Sequence, residues 1–552
     1  MTEHRSDGSS RSNGSNSSIP PTPVPLDPTG VPGLDEVLGG GVQRGSLAII
    51  AGPPGGGKTI LAHQIAFTAA RANRRTTILT AFSEPTNKLI AHMRPFTFFD
   101  QNLLGESLNV LSMQQFLRDG LGDAADEIVA AVRAARADLV ILDGFRGVRE
   151  TAEQPEDARR FIYEASNRLS LLGITLLLTS EANVRDVAFF PEATTADVLL
   201  GLAFDAIDAR ERRTLEVLKI RGAAPLPGRH AITIGDAGVT VYPRLEARVA
   251  RILNANRSPS GRATTAMPPA EGASAQNLGA EAATGVPGLD ALLAGGLARG
   301  SSTLLVGKRG AGKTLFGLQF AMEGVRRNEP ALFVSFRETT EQLQRKVTAF
   351  RWGARLPDAL DSGLLTVLRT APVELHADAL ADDLLARLDE TGARRLVLDE
   401  MGELERALIA TGYVHRFHDF AAALVESFRL RGVTALLTRQ TASGTRSALE
   451  GGLTPLAVLT ENLLWLREWS DDGRIARSLE ILQTAISGRS ELWHSVAIRA
   501  PEGIIVDTVD TIDTIDTQEQ RGNAAGHRRP DVRRRMERQS HDPDEGGGDN
   551  DA

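Results

Sequence analysis

The string TGVPGLD stands at residues 29–35 and again at 284–290. A chain that repeats itself at such a distance is constrained to fold as two copies of one domain. Thr29 and Thr284, Lys58 and Lys313, and Gln64 and Gln319 all stand 255 residues apart. Glu84 and Glu338 keep the register at 254, and Asp143 and Asp399 at 256. A chain of 552 residues is in any case too long for one hydrophobic core. We therefore expect domains over 27–253 and 283–506. Residues 254–282, rich in Ser, Gly, Ala, Pro and Asn, read as the linker between them. The polar ends, 1–26 and 507–552, are expected to be disordered.

Within each copy, short apolar runs alternate with longer helical stretches. The runs are SLAIIA, TTILTAF, DLVILD and ITLLLTS in the first copy, and STLLV, ALFVSF, RLVLD and VTALLT in the second. Continuous rather than alternating apolar runs suit strands covered on both faces. The expected class is α/β with a mainly parallel central sheet in each domain.

One run in each copy leads into a glycine-rich loop that opens a helix. The loops are Gly52, Pro53, Pro54, Gly55, Gly56, Gly57, Lys58, Thr59 and Gly307, Lys308, Arg309, Gly310, Ala311, Gly312, Lys313, Thr314. Both fit G-x-x-x-x-G-K-[ST], in which glycines let backbone N–H groups turn toward phosphates at a helix N-terminus. The expected ligand is ATP with Mg²⁺: Lys58 and Lys313 would reach the β and γ phosphates, and the Thr59 and Thr314 hydroxyls would hold the metal. A lone Gly-rich turn could carry Lys-Thr by chance, but two in repeat register leave that explanation little room.

Asp143 and Asp399 each end an apolar strand, where a carboxylate can hold the magnesium hydration shell. Glu84 and Glu338 follow the second strand, at the sheet edge where ligands of open α/β sheets bind. Either glutamate could orient or deprotonate a water. Either could equally be a surface residue favoured by a helix start.

Composition closes off other classes. The chain has no cysteine, which excludes disulfides and thiolate chemistry. A net charge of −8 gives no general pull toward nucleic acid. The N-terminus lacks the apolar core of a secretory signal, and no run is long enough to span a bilayer, so the expected compartment is the cytoplasm.

Taken together, TGVPGLD, the following GGG (39–41) or GG (295–296), RGS before the first strand, both phosphate loops and RRTLEVLKIRG (212–222) resemble the KaiC family. The resemblance covers roughly 28–247 and 283–506. It implies two tandem RecA-like P-loop domains, a homohexamer, and ATP hydrolysed between neighbouring subunits. It further implies that Lys219 and Arg221 reach the nucleotide of the next subunit, that Asp236 lies near the nucleotide, and that a KaiB-like or other signalling protein is a partner. This sequence also departs from the family. Where the family has the first of two adjacent glutamates stand Ser83 and Arg337, and the second copy has Gln483, Thr484 and Ala485 at the Lys-x-Arg position. Ala457 and Val458 occupy the usual phosphoacceptor places, with Thr454 and Thr460 nearby, and Glu400 adds a carboxylate beside Asp399. The expectation is an ATPase whose first domain is the better equipped. A Ser/Thr autokinase, a RecA-like DNA motor and a signalling scaffold working through the tail are the alternatives.

Overall fold

The computed structural model describes residues 25–80, 86–118, 120–182, 191–207, 210–257, 281–413, 415–441, 454–471, 474–485 and 493–508. The chain forms two compact units. The first comprises residues 1–272 with 370–392 and 402–431, and the second 273–369, 393–401 and 432–552.

In the first unit, β1 (Leu26–Asp27) pairs with β2 (Val42–Gln43) as a small antiparallel ribbon. The main sheet holds β3 (Leu47–Ala51), β4 (Thr76–Thr80), β5 (Leu108–Ser112), β6 (Leu139–Asp143), β7 (Thr175–Ser180), β8 (Val198–Ile207), β9 (Arg210–Ile220), β10 (Arg229–Gly235) and β11 (Gly238–Tyr242). Its order is β11-β10-β9-β8-β3-β7-β6-β4-β5. The pairings from β5 across to β8 are parallel, and those from β8 to β11 antiparallel.

Every residue of β3, β4, β6 and β7 is buried, as strands covered on both faces require. Ala48 and Ile50 of β3 face a core that includes Leu61, Ala62, Ile65 and Ala66 of helix Lys58–Arg71. Leu47, Ile49 and Ala51 face the opposite core, with Ile128 and Val132 of helix Ala124–Ala134 and Phe161, Ile162 and Leu169 of helix Pro155–Leu171. Each Ile or Leu buried this way contributes about 1.5–3 kcal/mol. The strand that carries the glycine loop is thus held from both sides at the centre of its sheet.

The second unit repeats this plan. A ribbon joins β12 (Glu281–Ala282) to β13 (Leu297–Ala298). The sheet holds β14 (Ser302–Gly307), β15 (Ala331–Ser335), β16 (Leu365–Arg369), β17 (Arg395–Asp399), β18 (Thr434–Gln440), β19 (Asn462–Asp471), β20 (Arg474–Gln483), β21 (Trp493–Arg499) and β22 (Gly503–Val506). Its order is β16-β15-β17-β18-β14-β19-β20-β21-β22, with helix Lys313–Arg326 packed over Leu305, Phe333, Val397 and Leu464.

The repeated heptapeptide has a structural role. Asp35 Oδ1 accepts hydrogen bonds from Thr29 N (2.8 Å) and Thr29 Oγ1 (2.6 Å), and Asp290 Oδ1 accepts the same pair from Thr284 at 2.6 and 2.7 Å. Gly33 takes φ 76°, where a Cβ would lie 2.0 Å from the Val241 carbonyl oxygen. Gly288 takes φ 85°, with the Val506 carbonyl oxygen 1.8 Å from that point. Only glycine lets the opening of each domain lie against its last strand. Pro32 and Pro287 carbonyls accept from the N–H groups of Val241 and Val506, both at 2.9 Å.

Candidate nucleotide-binding sites

Each glycine loop runs from the carboxyl end of its central strand into a 14-residue helix, Lys58–Arg71 or Lys313–Arg326. The loop has little room for side chains. A Cβ on Gly52 would lie 2.6 Å from the Leu202 carbonyl oxygen, and one on Gly307 would lie 2.5 Å from that of Leu466. Gly57 and Gly312, directly before the lysines, take φ 94° and 116°.

Lys58 is 9% exposed, and its Nζ donates to the carbonyls of Gly52 and Pro53, both at 2.9 Å. Lys313, 8% exposed, does the same to Gly307 and Lys308 at 2.9 Å. Burial lowers both lysine pKa values, against the attraction of Glu181 and Asp143 at Lys58 and of Glu400 and Asp399 at Lys313. Buried lysine cations whose hydrogen bonds among the described residues go to backbone carbonyls are poised for an anion that accepts from them with full charge.

The strand-end aspartates meet the threonines after these lysines. Thr59 Oγ1 donates to Asp143 Oδ1 at 3.2 Å, and Thr179 Oγ1 at the end of β7 donates to the same oxygen at 2.6 Å. In the second unit Thr314 Oγ1 donates to Asp399 Oδ2 at 2.7 Å and Thr438 Oγ1 to Asp399 Oδ1 at 2.5 Å. Burial alone would raise the Asp143 pKa. Contacts from His63, Thr179 and Thr59 outweigh it and hold the carboxyl below its ordinary range. A hydroxyl beside a carboxylate is a hard-oxygen donor pair, which fits magnesium. Among the described residues no group of three or more His, Asp or Glu side chains could hold a metal by itself.

A cavity of about 610 Å³ opens over the first loop, lined by Gly55, Lys58, Thr59, Asp143, Glu181 and Arg213 among others. Arg213, on β9, lies over the Phe204 ring at 4.4 Å and donates through Nε to the Gly55 carbonyl at 3.3 Å. Its counterpart by strand register is Arg477, which instead pairs with Glu468 at 3.0 Å. Sequence reasoning missed Arg213, Glu181 and Thr179. A signal existed for Arg213, because it lies inside the RRTLEVLKIRG string; the other two gain meaning only from the order of strands around β3.

The remaining candidates are placed as follows. Glu84 and Ser83 lie outside the described residues. Glu338 Oε1 is held by Lys346 Nζ at 2.5 Å, and its backbone N–H donates to Ser335 Oγ at 3.1 Å. Lys219 Nζ donates to the Thr194 carbonyl at 2.9 Å, and Arg221 pairs with Asp197 at 3.1 Å. Neither is among the residues lining the cavity over the first loop. Asp236 is exposed between β10 and β11, its carbonyl accepting from Thr97 N. The register pairs Leu199 with Lys219 and Leu463 with Gln483, each beside a bulge, so Gln483 occupies the position of Lys219. Glu400 accepts from Gln440 N at 2.8 Å. Thr460 is buried, and its hydroxyl donates to the Leu456 carbonyl.

Two stretches of the chain, 27–246 and 282–511, match the family model of the KaiC ATPase. The chain belongs to the KaiC family. Among similar proteins, the circadian clock oscillator protein KaiC of a Picosynechococcus strain is 25% identical over 482 residues, covering 85% of this chain and 86% of the relative. KaiC of Rippkaea orientalis and KaiC 1 of a Synechocystis strain are each 25% identical, with the same coverage. The two sheets with their flanking helices are tandem RecA-like domains of a family of nucleotide-binding ATPases. Among the described residues no helix is long and apolar enough to cross a membrane.

Proposed function

We propose that this KaiC-family protein binds ATP with Mg²⁺ at both glycine loops and hydrolyses it at the first, between subunits of a homohexamer, as a regulatory ATPase of the cytoplasm. The observation that carries the reading is the ready-made pairing of hydroxyl and carboxylate beside each buried lysine: Thr59 with Asp143, and Thr314 with Asp399.

In this reading Lys58 and Lys313 leave their loop carbonyls for the β and γ phosphates, which restores the charge complement that burial denies them. Thr59 and Asp143, with Thr314 and Asp399, would hold Mg²⁺, which when bound neutralises charge developing on the phosphates. Glu84 orients the attacking water at the first site. Lys219 and Arg221 act on the neighbouring subunit, a role supported by their position outside their own chain's cavity and by the 60% exposure of Arg221. Arg213 reaches the same cavity from within the chain. Asp236 and the remaining loop residues complete the nucleotide environment.

The second site keeps the binding parts and lacks the helpers. Glu338 is tied to Lys346, and Gln483 stands where the first copy has Lys219. These two features favour a structural or regulatory nucleotide there. A KaiB-like or other signalling protein remains the proposed partner class. The test is ATP turnover and native mass of the wild type beside Lys58→Ala and Lys313→Ala. Loss of turnover with the first change and loss of assembly with the second is the expected outcome; wild-type protein with no affinity for ATP and Mg²⁺ would end the reading.

A further inference from the structure

The fifth residue after the loop lysine differs in kind between the two sites. It is His63 in the first and Leu318 in the second. Both sit on the buried face of their helices, His63 at 1% exposure and Leu318 at 0%. An imidazole costs more than an isobutyl group to bury unless it is answered by a partner. His63 Nε2 lies 3.3 Å from Asp143 Oδ2, a close polar contact outside hydrogen-bond alignment, and makes no hydrogen bond to any described group. The polar contact that the structure shows on that nitrogen, among the described residues, is with the carboxylate proposed for magnesium.

The consequence appears in how the two aspartates are dressed. At Asp143 both hydroxyls, from Thr59 and Thr179, converge on Oδ1, and Oδ2 is turned to His63. At Asp399 the hydroxyls are split, Thr438 on Oδ1 and Thr314 on Oδ2, and Leu318 stands in the place of the imidazole. The imidazole thus stands against Oδ2, while the oxygen that takes both hydroxyls is the one on the side of Thr59.

We propose that His63 is a positioning residue that sets the orientation of Asp143 toward the divalent cation of the first site, and that Leu318 leaves the second site without this control. The inference rests on the proposed nucleotide reading. It makes the first site the one with the tighter magnesium requirement, since outer partners of a metal ligand govern affinity for the ion.

The test uses the full chain with both loops intact, titrates Mg²⁺ against a fluorescent non-hydrolysable ATP analogue, and subtracts the curve of Lys58→Ala as the contribution of the second loop. His63→Leu should raise the half-saturating Mg²⁺ concentration by about 10-fold or more. His63→Gln, whose amide can donate to the same oxygen, should recover most of that loss, and affinity for the analogue in EDTA should be equal in all three. A His63→Leu midpoint equal to that of the parent, or His63→Gln displaced as far as His63→Leu, overturns the proposal. If His63→Leu does not fold, His63→Met against His63→Gln decides on the same criterion. A parent chain whose binding ignores Mg²⁺ altogether would overturn the nucleotide reading itself, which a normal midpoint unaffected by His63 would not.

Discussion

The side chain of Gln64 closes a ring on the backbone of Val239: its Oε1 accepts from the Val239 N–H at 2.7 Å and its Nε2 donates to the Val239 carbonyl at 3.2 Å. Gln319 makes the same clasp on Ile504, at 3.0 and 3.2 Å, and adds a bond to the Gly285 carbonyl at 2.7 Å. In both domains the helix that follows the glycine loop is therefore pinned to a strand far along the chain.

Gln64→Leu removes both partners of a buried backbone pair and should cost about 1–3 kcal/mol. Chemical denaturation followed by circular dichroism measures it. A value within about 0.5 kcal/mol of wild type, the usual range for an inert surface change, would mean the clasp is replaced by water.

The loop glycines give a second prediction. Gly57 has φ 94°, and a Cβ there would come within 2.7 Å of Ile234 Cδ1. Gly57→Ala should cost about 1–2 kcal/mol of loop geometry, seen as roughly tenfold weaker ATP binding at the first loop by calorimetry. Unchanged affinity would show that the loop rebuilds itself around the ligand.

Acid stability offers a third. Glu329 takes Arg299 at 2.5 Å and the buried Arg395 at 2.7 Å. Burial would raise its pKa, but the two guanidiniums outweigh it and hold the carboxyl below its ordinary 4.5. A depressed carboxylate stabilises the fold fully above its unfolded-state pKa, and that stabilisation is lost as pH falls through the lower folded value. Glu329→Gln should therefore weaken the second unit at neutral pH and flatten its loss of stability below about pH 4.5. Melting temperature against pH for both proteins checks the sign; parallel curves would refute it.

Arg221 supplies the fourth. If it serves the neighbouring subunit, Arg221→Gln should cut ATP turnover on the order of 10³-fold, as loss of an arginine finger does, with assembly retained in native mass. Turnover close to wild type would remove the residue from the reaction.

Much of this was readable beforehand, for physical reasons. The glycine loops, Lys58, Lys313 and the strand-end aspartates are local patterns that depend on backbone shape within a few residues. The substitution of Lys219 by Gln483 was also legible, because both repeats carry the same strand register. His63, Thr179 and the Gln64 clasp were not, since each acquires its partner only when distant strands close around β3. Glu338 read equally as a water-orienting group or a surface residue, and only the fold brings Lys346, eight positions on, back to it.

The heptapeptide clasp has a last consequence. Because Gly33 lies against Val241 and Gly288 against Val506, the opening of each repeat lies beside the last strand of its sheet. A module whose entrance and exit adjoin can be copied head to tail without tearing its interior, and chain ends so placed tolerate relocation.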